Sequence, residues 1–252
     1  MTDAIYPSLK GRLVVITGGG SGIGAGIVEA FSRQGARVVF FDVATEESEA
    51  LAASLSDLSP PPVFHWCDLT GVESLQACLA EVMAAHGPID VLINNAANDD
   101  RHTLAEVTPA YWDDRIAVNL RHLYFAAQSV APAMRAQGRG VILNLGSISW
   151  HLGLPDLSLY ETAKAGIEGM TRALARELGV DGVRVACIVP GNVKTPRQMK
   201  WYTPEGEAEI VDAQCLKGRI EPRDVAALAL FLASDDARFI TGHEYFVDAG
   251  WR

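Results

Sequence analysis

The chain has 252 residues, 49% hydrophobic and 21% charged, enough for a sizeable core and unlike a disordered segment. A formal net charge of −10 argues against a reader of nucleic-acid backbones, which needs a basic stripe, but leaves room for one nucleotide held by a helix N-terminus. The four cysteines (Cys67, Cys78, Cys187, Cys215) show no CxxC pair and no metal-ligand spacing, so reduced and mostly buried thiols are expected, and no metal.

Met1 to Lys10 is polar and Leu13 to Ile16 is too short for the apolar part of a signal peptide. No apolar run approaches the ~20 residues that span a bilayer, so the expectation is a soluble, cytoplasmic protein. Leu13–Ile16 reads as a strand, followed by a helix from about Gly22 to Gln34 with Gly35 as its stop. Val38–Phe41 is a second strand, and Thr45 with Glu46 and Glu47 makes a helix start. Val63–Cys67 is a third strand, a helix runs through Ala85, Gly87-Pro88 punctuates, and Ile89–Ile93 is a fourth strand. A long helical pattern covers about Pro109 to Gln137, with a kink expected at Pro132. Strand Val141–Leu145, helix Leu157–Leu178 and strand Val183–Val189 follow, then a helix Pro222–Ala233 and a last strand near Tyr245–Val247.

Continuous apolar strands between helices predict a single α/β domain: a doubly wound, Rossmann-type parallel sheet of about seven strands with helices on both faces. The stretch from Asn192 to Lys217 is the least periodic and reads as a substrate lid, residues 192–217.

The segment Thr17-Gly18-Gly19-Gly20-Ser21-Gly22-Ile23-Gly24 follows a strand and opens a helix, the context in which a glycine-rich loop receives a dinucleotide pyrophosphate. Its glycines permit positive φ and close backbone approach, with Gly18, Ser21, Gly22, Ile23 and Gly24 as candidate contacts. Asp42 ends the second strand 24 residues after Gly18, about where a carboxylate meets the ribose hydroxyls. At ~5 Å and effective ε ~20 it repels each unit of charge on a 2′-phosphate by about 3 kcal/mol, and Val43 rather than arginine follows it. NAD is therefore favoured over NADP. Asp68-Leu69 reads as an adenine contact, with helix capping by Asp68 an equal and compatible role. In Asn94-Asn95-Ala96-Ala97, one amide is expected to tie strands together and the other, Asn95, to face the ribose.

Tyr160 and Lys164 lie four apart on one helix face. A tyrosine base at neutral pH needs about 4 kcal/mol of stabilisation of its anion. A cation at ~4 Å with effective ε ~20 supplies about that much, and Lys164 and an oxidised nicotinamide ring are two such cations. Ser147, just beyond a strand, donates to the substrate oxygen; Ser149 is a competing candidate that reads better as a turn residue. Asn119 is polar in an apolar helical stretch, either holding a proton-relay water or standing as a paired core amide.

These motifs, with Pro190-Gly191, stand in the order and spacing of the short-chain dehydrogenase/reductase family, which the chain resembles from roughly Leu9 to Gly250. The resemblance implies a catalytic tetrad of Asn119, Ser147, Tyr160 and Lys164, with Lys164 also on the nicotinamide ribose. It further implies Val193 and Thr195 beside the nicotinamide carboxamide, and a homotetramer or homodimer. The C-terminal Val247 to Arg252 suits an interface or a site wall. One departure is Ala97, where the family usually carries glycine; its methyl narrows the space near the nicotinamide.

The less generic segments around Asn98, Arg121, Trp150, Asn192 and Trp201 look like the bacterial NAD-dependent sugar dehydrogenases of that family. That implies oxidation of the anomeric hydroxyl of an aldopyranose, D-xylose first, to its 1,5-lactone. A sugar site wants several hydrogen-bonding groups and an aromatic face, and Asn98, Trp150, His151, Asn192, Trp201 and Tyr202 all fall on loops that can supply them. For Trp150 and Trp201 the alternative is packing within the lid, and for His151 a hydrogen-bonded wall. The rivals are another sugar (L-arabinose, D-glucose), a small secondary alcohol, or an idle dinucleotide-binding sensor.

Overall fold

The computed structural model describes residues 4–200 and 202–251, within which seven parallel strands form one sheet in the order β3-β2-β1-β4-β5-β6-β7. They are β1 (Leu13–Thr17), β2 (Arg37–Asp42), β3 (Val63–Trp66), β4 (Val91–Asn94), β5 (Gly140–Leu145), β6 (Val183–Pro190) and β7 (Glu244–Val247). The chain winds outward through β2 and β3, returns to β4 beside β1, and winds out the other way. The crevice between β1 and β4 is thus the switch point at which such sheets bind ligands.

The helices are α1 (Gly22–Arg33), α2 (Thr45–Ser54), α3 (Val72–His86), α4 (Pro109–Ile116), α5 (His122–Gln137), α6 (Ser149–Leu152), α7 (Ser158–Leu178), α8 (Pro204–Ala213) and α9 (Pro222–Ala233). Period-2 alternation sends β1 into two cores. Val14 and Ile16 join Ile27, Phe31, Val225 and Ala229 under α1 and α9. Leu13 and Val15 join Leu75, Leu79, Val130 and Met134 under α3 and α5. Both faces are dry, which is why the strands read as unbroken apolar runs.

Three local expectations are corrected. The Pro109–Gln137 pattern is interrupted not at Pro132 but by a π-helical turn, Ala117–Arg121. Pro132 and Gln128 both face solvent, so the Gln128 carbonyl that loses its donor is free to meet water. The α2 helix does start at Thr45 with Glu46 and Glu47 in its first turn, but Ala44 rather than Thr45 is its N-cap, and the Ala44 N–H donates to Asp42 Oδ1 at 3.0 Å. The 192–217 stretch is not irregular throughout, because Thr203 Oγ1 accepts from Gly206 N, Pro204 sits in the first turn, and α8 follows.

All four cysteines are free, with Cys67 and Cys187 buried, Cys78 half-buried and Cys215 exposed. No described helix is long and apolar enough to cross a membrane. Trp201 and Arg252 lie outside the described residues.

Candidate active site

A cleft of about 600 Å³ opens along the carboxyl edge of the sheet. Its cofactor half is made by the turn from β1 into α1. Gly18 and Gly22 take φ +65° and +54°, a region that strains other residues. A Cβ on Gly24 would lie 1.9 Å from the Gly18 carbonyl oxygen, and one on Gly20 would lie 2.3 Å from Ser48 Oγ. Glycine is therefore needed both for the turn and for the packing beneath it. What remains is a shallow cradle of backbone at a helix N-terminus, the shape and polarity a pyrophosphate fits.

Asp42 lines this cradle, oriented by Gly20 N–H on Oδ2 (2.8 Å) and by Val43 and Ala44 N–H on Oδ1. Asp68 does not cap α3, whose N-cap is Gly71; its Oδ1 accepts from the Thr70 amide and hydroxyl and closes the preceding turn, while Asp68 and Leu69 line the cleft. Both asparagines at the end of β4 tie strands. Asn94 donates to Asn144 across to β5, and Asn95 Nδ2 donates to the carbonyls of Thr17 and Gly18. Asn95 thus borders the cleft and clamps the glycine loop with the same side chain. Val193 and Thr195 line the opposite wall, the Thr195 side chain standing 3.3 Å from where a Gly22 Cβ would be.

Ser147, Tyr160 and Lys164 converge from the end of β5 and the first turns of α7. The Ser147 hydroxyl stands by the Tyr160 phenol, where it favours the anion, and Lys164 Nζ lies 5.3 Å from the Tyr160 ring centroid while donating to Leu145 O at 2.8 Å. Burial pushes the phenol above its ordinary pKa, the Asp99 carboxylate adding to this while the Ser147 hydroxyl and Arg197 oppose it. Burial also lowers Lys164 to about 8, against the pull of Cys187 and Asp99, so it is still mainly charged at pH 7.

Of the two roles expected for Asn119, the hydrogen bonds display the paired core amide. Fully buried in the π turn, it donates to Asn98 O (2.9 Å) and accepts from Asn98 N (2.8 Å). Ser149 opens α6 and gives its N–H to Ser147 Oγ, which helps aim that hydroxyl.

The substrate half departs most from expectation. Asn98, Asn192 and Tyr202 line the cleft. Trp150 and His151 are not among its walls: Trp150 Nε1 donates to Oε1 of buried Glu168 at 2.8 Å, His151 Nε2 meets the same oxygen at 3.0 Å, and the His151 ring packs edge-on to Phe246. A buried carboxylate needs such partners, and meeting that need ties both rings to Glu168. Trp251 supplies an aromatic wall instead. Asp99, Arg197 and Gln198 also line the cleft and were missed; their neighbourhood in Asn98-Asp99-Asp100-Arg101 and Pro196-Arg197-Gln198, charged residues beside strand ends, was the available signal. Among the described residues, no three His, Cys, Asp or Glu side chains are grouped to hold a metal.

The family profile described as Enoyl-(Acyl carrier protein) reductase matches residues 18–252. The chain is 68% identical over 252 residues, all of both chains, to a protein of Caulobacter vibrioides named D-xylose 1-dehydrogenase. It is 47% identical over 247 residues, 97% of this chain and 96% of the other, to the probable galactose dehydrogenase GalD of Rhizobium meliloti. A solved structure titled short chain dehydrogenase/reductase family protein superposes with a TM-score of 0.85 at 31% identity, covering 96% of this chain and 98% of that one. The chain belongs to the short-chain dehydrogenase/reductase family.

Proposed function

We propose that the protein is an NAD-dependent sugar dehydrogenase that oxidises the anomeric hydroxyl of an aldopyranose, D-xylose foremost, to the 1,5-lactone. The observation that carries the reading is that Ser147, Tyr160 and Lys164 line one cleft with the glycine loop, Lys164 Nζ standing 5.3 Å from the phenol ring centroid. The Caulobacter relative's name points to D-xylose and the Rhizobium relative's to a hexose, which is the second reading.

Gly18, Ser21, Gly22, Ile23 and Gly24 hold the pyrophosphate of NAD; Asp42 takes the adenosine ribose, Asp68 and Leu69 the adenine, and Val193 and Thr195 the carboxamide. The anchored carboxylate of Asp42, with exposed Val43 beside it in place of a cation, supports NAD over NADP. When bound, NAD supplies the hydride acceptor for C1 and a positive ring beside the phenol. Tyr160, as phenolate, accepts the anomeric hydroxyl proton while Ser147 donates to the same oxygen. Lys164 holds charge next to the phenol and reaches the cofactor ribose, and Asn119 positions the Asn98 loop.

The 192–217 segment acts as the lid, Asn98, Asn192 and Tyr202 meet sugar hydroxyls, and the protein works in the cytoplasm as a homotetramer or homodimer. Exposed Trp112 and Tyr124 on α4 and α5 are consistent with such an assembly. Assaying aldoses and small alcohols by NADH absorbance tests the reading. D-Xylose is expected to give turnover, and Tyr160→Phe to lower kcat by about 10³-fold while NAD affinity changes little. Turnover surviving in Tyr160→Phe would remove the phenol from the mechanism; turnover with alcohols alone would replace the sugar, and none with either class would leave an idle dinucleotide-binding protein.

A further inference from the structure

Two loops meet over the cleft and carry charges that the proposed reaction leaves unused. Asp99, one residue beyond the Asn98 backbone that Asn119 clamps, lines the cleft. Arg197 Nε donates to its Oδ1 at 2.9 Å and Gln198 Nε2 to its Oδ2 at 2.7 Å. Arg197 Nη2 also reaches Asn98 Oδ1 and Asp100 Oδ1, each at 2.8 Å, and Arg115 holds the other Asp100 oxygen at 2.9 Å. The Gln198 carbonyl in turn accepts from the Tyr202 hydroxyl at 2.8 Å.

An ionised carboxylate offers about four acceptor positions, so each Asp99 oxygen retains one beyond these two bonds. The carboxylate lines the same cleft as Ser147, Tyr160 and Lys164. A hydroxyl-rich ring is the substrate class that can use such a group; a simple secondary alcohol offers it no donor.

We infer that Asp99 is a specificity-determining residue, its carboxylate accepting a hydrogen bond from one ring hydroxyl of the sugar other than the anomeric one, while Arg197 and Gln198 fix it from the lid. The inference rests on the sugar-oxidising reading above. Asp99 is half-buried, and a sugar filling the cleft would shield it further from water, so an analogue lacking the matching hydroxyl would leave the acceptor covered and unmatched.

The test compares kcat/KM for D-xylose and for its 2-, 3- and 4-deoxy counterparts in the wild type, Asp99→Asn and Arg197→Met, with Asp99→Ser made alongside so that poor folding of one variant does not decide the result. NAD affinity, by titration, checks that each variant retains the cofactor half. One deoxy sugar is expected to cost the wild type about 10- to 100-fold. It should cost the Asp99 variants nothing beyond their own loss on D-xylose, and Arg197→Met should keep most of the penalty. If all three deoxy penalties persist undiminished in the Asp99 variants, the inference is overturned while sugar oxidation stands. If the wild type turns over no aldose, the underlying reading fails first and takes the inference with it.

Discussion

Asn95 and Asp42, at the cofactor end of the cleft, are held by main-chain groups: the carbonyls of Thr17 and Gly18 for one, the amides of Gly20, Val43 and Ala44 for the other. Asp99 and Asn192, at the substrate end, are held by the tips of long side chains. Arg197 and Gln198 grip the first; Tyr202 and Arg219 grip the second, and Arg219 is itself paired with Glu207. The first arrangement has few ways to relax. The second can loosen by rotating a few torsions, so one end keeps a fixed shape and the other can adjust.

Gly24→Ala should break the rigid end most severely. Its methyl would meet the Gly18 carbonyl at 1.9 Å, backbone against backbone, with no flexible tip to yield. We expect at least about 3 kcal/mol of destabilisation in urea melts and loss of NAD binding by titration. A variant that melts and binds like the wild type would show that the loop yields as readily as the lid.

Lys164→Met should sharpen the contrast between holding a structure and holding a charge. Lowering the amine from 10.5 to about 8 corresponds to about 3 kcal/mol, part of which the bond to Leu145 returns in the wild type. The variant is therefore expected to lose turnover yet gain about 1–2 kcal/mol at pH 7. Between pH 8 and 10.5 the unfolded chain carries the extra proton, so wild-type stability rises with pH there and the gap to the variant closes. Parallel melting curves at pH 7 and pH 10 would expose the opposite result.

The smallest expected effect is in the pH profile of kcat. Tyr160 faces Ser147, Lys164 one turn along α7, Asp99 from the β4 loop and Arg197 from the lid. In the mechanism proposed above the base is the phenolate, so the rate is expected to rise with pH through the Tyr160 pKa. Asp99 raises that pKa and Arg197 lowers it. Asp99→Asn should move the rising limb to lower pH, and Arg197→Met should move it higher. Shifts in the same direction would mean that the bridge acts only by shaping the lid.

The two ends also differ in how far they can be read from residues alone. The glycine loop, Asp42, the strand-end asparagines and the Tyr160–Lys164 pair are local patterns whose geometry follows from strand, turn and helix periods. The sheet could be anticipated for the same reason, each strand being a short apolar run buried on both faces. The substrate end depends on partners about a hundred positions apart: Arg197 with Asp99 and Asp100, Gln198 with Asp99. No local period records such pairs. Trp150 and His151 were plausible sugar contacts by residue type, but a single buried carboxylate, Glu168, decides where both rings point. The α8 helix was readable from Thr203-Pro204-Glu205, a capping sequence passed over because the surrounding segment lacked apolar rhythm.

The π turn at Ala117–Arg121 is in effect one surplus residue wound into an otherwise ordinary helical stretch. That surplus sends the Asn119 amide across to grip the main chain of Asn98 from both sides. The adjoining Asp99 thus starts from a fixed anchor and can adjust only beyond it. Deleting a single position from that turn would rewind the helix by about 100° and release the anchor, altering which sugars are accepted without touching any atom that meets them.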